Sequence, residues 1–129
     1  MAEPRFDACF ACGKDNPKGL HLDFHYAGEA ASAVFDCPVE YEGYPGFIHG
    51  GIISTMMDEA MAKIILAKGK KAVTARLVTH FRHPVLTGHP VTVRGWIEVA
   101  KTRSISAKAE VIDAMGKVLA EAEAMFIVV

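Results

Sequence analysis

The sequence has no excess of either charge: fourteen basic residues meet fifteen acidic ones, for a formal net charge of −1. That balance leaves no electrostatic footprint for nucleic acid or an anionic membrane surface. No apolar run approaches the ~18 residues needed to cross a bilayer. Cysteine is scarce, three residues in all, and an odd number in a chain without an apolar signal core is no disulfide framework. Residues Met1 to Asp7 carry two acids where a secretory leader would be apolar, so the expected compartment is the cytoplasm. Repeats, low-complexity tracts and linkers are missing too. What remains is one domain over residues 1–129, half hydrophobic at 51% and long enough to bury a core.

The patterning divides this domain into a turn-rich lead-in over 1–19, two strands, one helix and four more strands. Leu20, Leu22, Phe24 and Tyr26 alternate with His21, Asp23 and His25, which predicts a first strand. Gly28-Glu29 makes a turn, and Ala33, Phe35 and Cys37 mark one face of a second. Prolines and glycines break residues 38–51 into loop. The period then changes. Ile52, Ile53, Met56, Met57, Ala60, Met61, Ile64 and Ile65 recur at helical spacing over about 50–68, covering an arc of roughly 220°. A stripe that wide belongs to an enclosed helix. Val73 to Phe81 alternates again, with Val73, Ala75, Leu77, Thr79 and Phe81 on one face and Thr74, Arg76, Val78 and His80 on the other. Residues 91–99, 105–111 and 117–128 continue as strands, with Trp96 and the helical methionines read as core. The expected class is α+β, an antiparallel sheet wrapped around one central helix.

Chemistry concentrates at the start of that helix. His49-Gly50-Gly51 lets backbone approach a ligand and leaves orphan amides at the positive end of the helix dipole, suited to a polarised carbonyl. Two turns later stand Asp58 and Glu59, equally far off the apolar arc on opposite sides. Cys9-x-x-Cys12 has the spacing of half a zinc knuckle, for which Cys37 with His21 or His25 would have to complete the ligands, and a plain turn is the simpler expectation.

These residues resemble the hot-dog fold acyl-CoA thioesterases, in particular those similar to the phenylacetate-pathway enzyme. His49-Gly50-Gly51 with Asp58 eight residues after the first glycine matches the helix motif. Val73-Thr74-Ala75-Arg76-Leu77, Phe81-Arg82-His83-Pro84-Val85 and the Gly116 to Glu121 hairpin look like the same family. The lead-in from Cys9 to Leu20 is similar to some of its bacterial members. The resemblance implies hydrolysis of an acyl- or aroyl-CoA without metal or separate cofactor, coenzyme A being part of the substrate. It implies that Gly50 and Gly51 polarise the thioester carbonyl, with Gly51 donating its amide. Asp58 serves as base or nucleophile, Glu59 as the alternative acid, and Thr74 orients water. Lys101, Arg103 and Arg82 would meet the coenzyme phosphates. Gly43 or Tyr44 stands where some relatives place an Asn. A dehydratase of the same fold and a non-catalytic acyl-CoA binder are the alternative readings.

Helix geometry adds an expectation of its own. Gly51 and Asp58 lie roughly 10 Å apart along one helix at 1.5 Å per residue, whereas a scissile carbonyl needs both within ~3 Å or one water. Donor and base must therefore come from two chains, which predicts a homodimer with two equal sites, whether or not dimers pair further.

Overall fold

The computed structural model describes residues 6–129, so the first five residues of the expected lead-in lie outside it. The elements run β1 (His25–Ala27), β2 (Ala30–Phe35), a 3-10 turn (Val39–Tyr41), α1 (Gly50–Ala67), β3 (Ala72–Phe81), β4 (Val91–Ala100), β5 (Ser104–Ile112) and β6 (Val118–Val128). All pairings are antiparallel, in the order β1-β2-β4-β5-β6-β3. This is the element order expected, with one helix against one face of a six-stranded sheet.

The helix forms where the 3.6 period runs and stops where backbone chemistry stops it. Gly69, at φ +82°, takes a left-handed conformation that ends the run, and the Lys68 amide closes onto the last-turn carbonyls. Ile53, Met56, Met57, Ala60, Met61, Ile64 and Ile65 are all buried. At about 1.5–3 kcal/mol for each large side chain removed from water, this helix is the chief stabilising element. No helix among the described residues is long and apolar enough to cross a membrane.

The helix brings the large side chains and the sheet brings the small ones. Ala31, Gly95, Ala109 and Ala122 stand in register across β2, β4, β5 and β6. Ala107 and Ala124 make a neighbouring pair on β5 and β6. Methionines on the helix fill the space above these rows, which suits their flexible shape. At Gly95 the approach is closest: a Cβ there would lie 2.7 Å from the Ala60 carbonyl carbon and 2.8 Å from the Met61 nitrogen.

Three expectations need correction, the last of them on β3. The first strand is short, because His21 adopts φ +54° and residues 20 and 22 pair with the lead-in, not the sheet. Leu20 and Leu22 donate their amides to the Phe10 and Ala11 carbonyls at 2.8 and 2.9 Å. Both leucines are nonetheless buried. Trp96 is not core: it faces away from the helix, half-buried beneath the Arg94 guanidinium, 5.0 Å from its ring centroid. Its neighbour Gly95 holds the inward position.

Among the described residues strand β3 pairs only with β6, leaving its other edge open along ten residues. Near its start the register slips between Thr74 and Arg76. Residues directly opposite in an antiparallel pair point to the same face. Thr74 lies opposite the buried Phe126, while Leu77 lies opposite Ala124. Both therefore face the helix although three residues separate them, an odd spacing that only an extra bulged residue permits. Strict alternation put Thr74 on the far face; the bulge at Ala75 turns it inward.

Candidate active site

His49 caps the helix. Its Nδ1 accepts the Gly51 amide at 2.9 Å, and its carbonyl receives the amides of Ile52 and Ile53. Within this first turn the Gly50 amide alone has no partner among the described residues. The two glycines are thus unlike. Gly51, expected to donate to a carbonyl, is satisfied inside the chain, and the open donor is Gly50. Gly43 packs on the same histidine: a Cβ there would stand 3.0 Å from His49 Cδ2, so this loop position has little room for an Asn side chain unless His49 shifts. An open groove of about 400 Å³ lies against this end of the helix, lined by Glu40, Tyr41, Glu42, His49, Gly51, Ile52 and Thr55. Replacing His49 by Ala is expected to cost about 0.5–2 kcal/mol in denaturant unfolding, as for other lost N-caps, with His49→Asn restoring most of it.

The two adjacent acids part company. Asp58 faces β3, where the Thr74 hydroxyl donates to its Oδ1 at 2.7 Å. Glu59 faces the lead-in, where the Cys9 and Cys12 thiols approach its two oxygens at 3.8 and 3.4 Å. The expected alternative acid is therefore enclosed by a different set of groups and does not share the Thr74 site. Burial first, and the Glu59 carboxylate second, push the Cys12 thiol up to about 12, so it stays protonated at neutral pH. Lys63 sits beside this group, raised by Cys12 and Glu59 against the opposing effect of its own burial.

Neither Cys37 nor the two named histidines joins Cys9 and Cys12. Cys37 is fully buried and directs its thiol to the Phe35 carbonyl. His21 bonds the Asn16 carbonyl and His25 lies exposed beside Asp23. The residue that does join, Glu59, is distant in sequence, and no spacing rule points to it.

Of the three basic residues expected at the coenzyme, Arg82 is already engaged, with Nε and Nη2 at 3.2 and 2.9 Å from Glu121 Oε2. Both partners are half-exposed, so the pair is worth little. Lys101 and Arg103 lie on the exposed β4–β5 turn and make no ion pair among the described residues. That turn reaches the end of the sheet where β3 begins, since Arg103 accepts the Val128 amide and Val128 stands opposite Ala72.

Comparison with known proteins establishes the fold and the family. The chain is similar to the uncharacterized mitochondrial membrane protein FMP10 of Saccharomyces cerevisiae, 35% identical over 98 residues, 72% of this chain and 40% of that one. It thus spans well under half the length of that relative. Among solved structures it resembles a thioesterase superfamily protein at a TM-score of 0.86 and 23% identity, over 90% of this chain and 61% of the other. The E. coli PaaI protein of the phenylacetic acid degradation operon superposes at 0.81 with 18% identity, over 92% and 83%. A Streptococcus mutans protein bound to acetyl CoA does so at 0.79 with 18% identity, over 84% and 88%. The sheet rolled on one helix is therefore the hot-dog fold. The family model of the thioesterase superfamily matches residues 45–120, from the loop before His49 into the last strand. More than half of the chain, including the helix start, Asp58 and Thr74, falls in that match, and the chain belongs to the thioesterase superfamily.

Proposed function

We propose that this protein hydrolyses an acyl-CoA or aroyl-CoA thioester to the free acid and coenzyme A, at two equal sites shared between the chains of a homodimer. The observation that carries the reading is the Asp58–Thr74 hydrogen bond on an edge strand whose outer side has no strand beside it among the described residues. A long open edge is a template for another strand, and here it exposes apolar side chains, Val73 at 55% and Phe81 at 52%. Antiparallel pairing of β3 with its two-fold copy sets the Thr74 end of one strand beside the Phe81 end of the other. In each chain the Phe81 ring lies 3.5 Å from where a Gly50 Cβ would be. Pairing in this sense brings the open Gly50 amide of one chain toward the Asp58 of the other, the junction that one helix by itself does not make.

In this site the Gly50 amide and the helix dipole polarise the thioester oxygen as charge develops on it. Asp58 either takes a proton from the attacking water or attacks the carbonyl itself. By the water route, oxygen bonds to the acyl carbon, the C–S bond breaks, and the thiolate leaves as coenzyme A after protonation; by the direct route, the C–S bond breaks as Asp58 becomes an acyl anhydride, which water then cleaves to the free acid and the carboxylate. Thr74 spends its single hydroxyl proton on Asp58, so towards a water it acts only as an acceptor. It is a positioning residue for the carboxylate. Lys101 and Arg103 supply the free positive charge at the β3 end of the sheet for the coenzyme phosphates. The scheme uses no metal and no cofactor beyond the coenzyme A carried by the substrate.

Thiol release from a panel of acyl- and aroyl-CoAs, followed with a colorimetric trap, tests this. Thr74→Ala is expected to lower kcat about tenfold, the lower end of what a misplaced acid–base group costs, and Thr74→Ser to recover it. An inert protein that acyl-CoA still stabilises against heat would instead be a binding protein.

A further inference from the structure

We propose that Cys9, Cys12 and Glu59 form a site for one thiophilic divalent cation of the zinc class, which fastens the lead-in to the central helix. Their ligand atoms all lie within 4.8 Å of one another, and all three residues are half-buried. The Cys9 and Cys12 sulfurs lie 3.8 and 3.4 Å from different oxygens of the Glu59 carboxylate, so a turn of that carboxylate presents one oxygen to both. A tetrahedral zinc with Zn–S near 2.3 Å and Zn–O near 2.0–2.2 Å has S···O edges of about 3.5–3.7 Å, so the three residues already stand close to ligand spacing. As hydrogen bonds the same contacts are poor, because a thiol is a weak donor and this carboxylate faces two of them.

The loop that presents the sulfurs is built tightly. Gly13 donates to the Cys9 carbonyl at 2.8 Å, Cys9 to Phe6 at 3.0 Å and Asp15 to Asp7 at 2.9 Å. A Cβ on Gly13 would fall 2.4 Å from both the Asp7 carbonyl oxygen and the Cys9 nitrogen, so no other residue fits without opening the turn. Ala11, between the cysteines, is buried in the core and its carbonyl accepts the Leu22 amide. Both thiols are thereby held on the helix side of the turn. Charge also closes. On loading, each thiol releases a proton to solvent, and the two thiolates with Glu59 outweigh the cation by one negative charge. Lys63, which interacts with both Cys12 and Glu59, supplies the balancing positive charge. The fourth position is left for solvent. The proposed site departs from the expectation of a metal-free chain and is independent of the thioester chemistry, since Glu59 lies away from the Asp58–Thr74 pair.

The test is zinc stoichiometry on reduced, full-length protein, with Zn²⁺ titrated against a chromophoric chelator and Co²⁺ substituted to read thiolate ligation by its charge-transfer absorption. One ion per chain is expected. Cys12→Ser should weaken binding by more than the ~10–100-fold that a lost supporting group costs, Glu59→Gln by at least tenfold, and Cys37→Ala not at all. Should Cys12→Ser fail to fold, Zn²⁺ added to the wild type must still shield Cys9 and Cys12 together from alkylation. No stoichiometric zinc, zinc held equally by Glu59→Gln, or a Cys9–Cys12 disulfide that forms undiminished with Zn²⁺ present would overturn the site.

Discussion

Asp58→Asn is expected to lower thioester turnover by at least ~100-fold, within the 10²–10⁴ that a positioned acid–base group contributes, while dimer and melting temperature stay as in the wild type. Asn keeps the shape of the side chain and an oxygen for the Thr74 hydroxyl to bond, so the fold loses nothing but a charge at a half-exposed position. What disappears is the group able to take a proton from water or to attack the carbonyl. Steady-state kinetics with size-exclusion chromatography on the same preparations decide the matter. If Glu59→Gln proves the damaging change and Asp58→Asn the harmless one, the assignment moves by one residue and the Thr74 contact has no catalytic meaning.

Gly95→Val is expected to remove at least ~2–3 kcal/mol of folding stability, a large part of the 5–15 kcal/mol that a domain of this kind has. The added Cβ meets the main chain of Ala60 and Met61 at 2.7–2.8 Å. Backbone cannot rotate aside as a side chain can, so the whole helix must lift from the sheet. Lifting it loosens Met57, Met61 and Ile64, all now closely packed, and adds the cost of the spaces beneath them. Thr92→Val, on the same strand beside Val34 and Ile112, keeps size and branching and should stay within ~1 kcal/mol. Urea unfolding of the three proteins compares them. A Gly95→Val protein within ~1 kcal/mol of wild type would mean that helix and sheet part at this contact without loss of packing.

The central helix was legible residue by residue, because burial on most of its circumference imposes a long apolar period that nothing else in the chain imitates. The open hairpin strands were legible for the same reason, with period two. Elements whose geometry is set by one unusual backbone residue were not. His21 interrupts a good alternation with a left-handed φ, and a small residue at 95 hands the inward position to the helix while its large neighbour Trp96 turns to solvent. Gly50 and Gly51 are identical as letters. Only the histidine ring folding back onto one amide tells them apart. Asp58 and Glu59 were equivalent by helical angle, and the distinction came from what each meets across space. Glu59 with the two cysteines joins residues almost fifty positions apart, which local spacing does not encode.

The bulge at Ala75 gives this site an uneven sensitivity to change. Strand residues obey a parity, and one extra residue has inverted it for everything on the Thr74 side of the slip. A substitution at Ala75 leaves the count intact. A single insertion or deletion in the first half of β3 restores simple alternation and swings the hydroxyl through half a turn, away from the carboxylate. In a lineage of such proteins, the contact between Thr74 and Asp58 is therefore kept or broken by one codon gained or lost at this point, with the core composition unchanged.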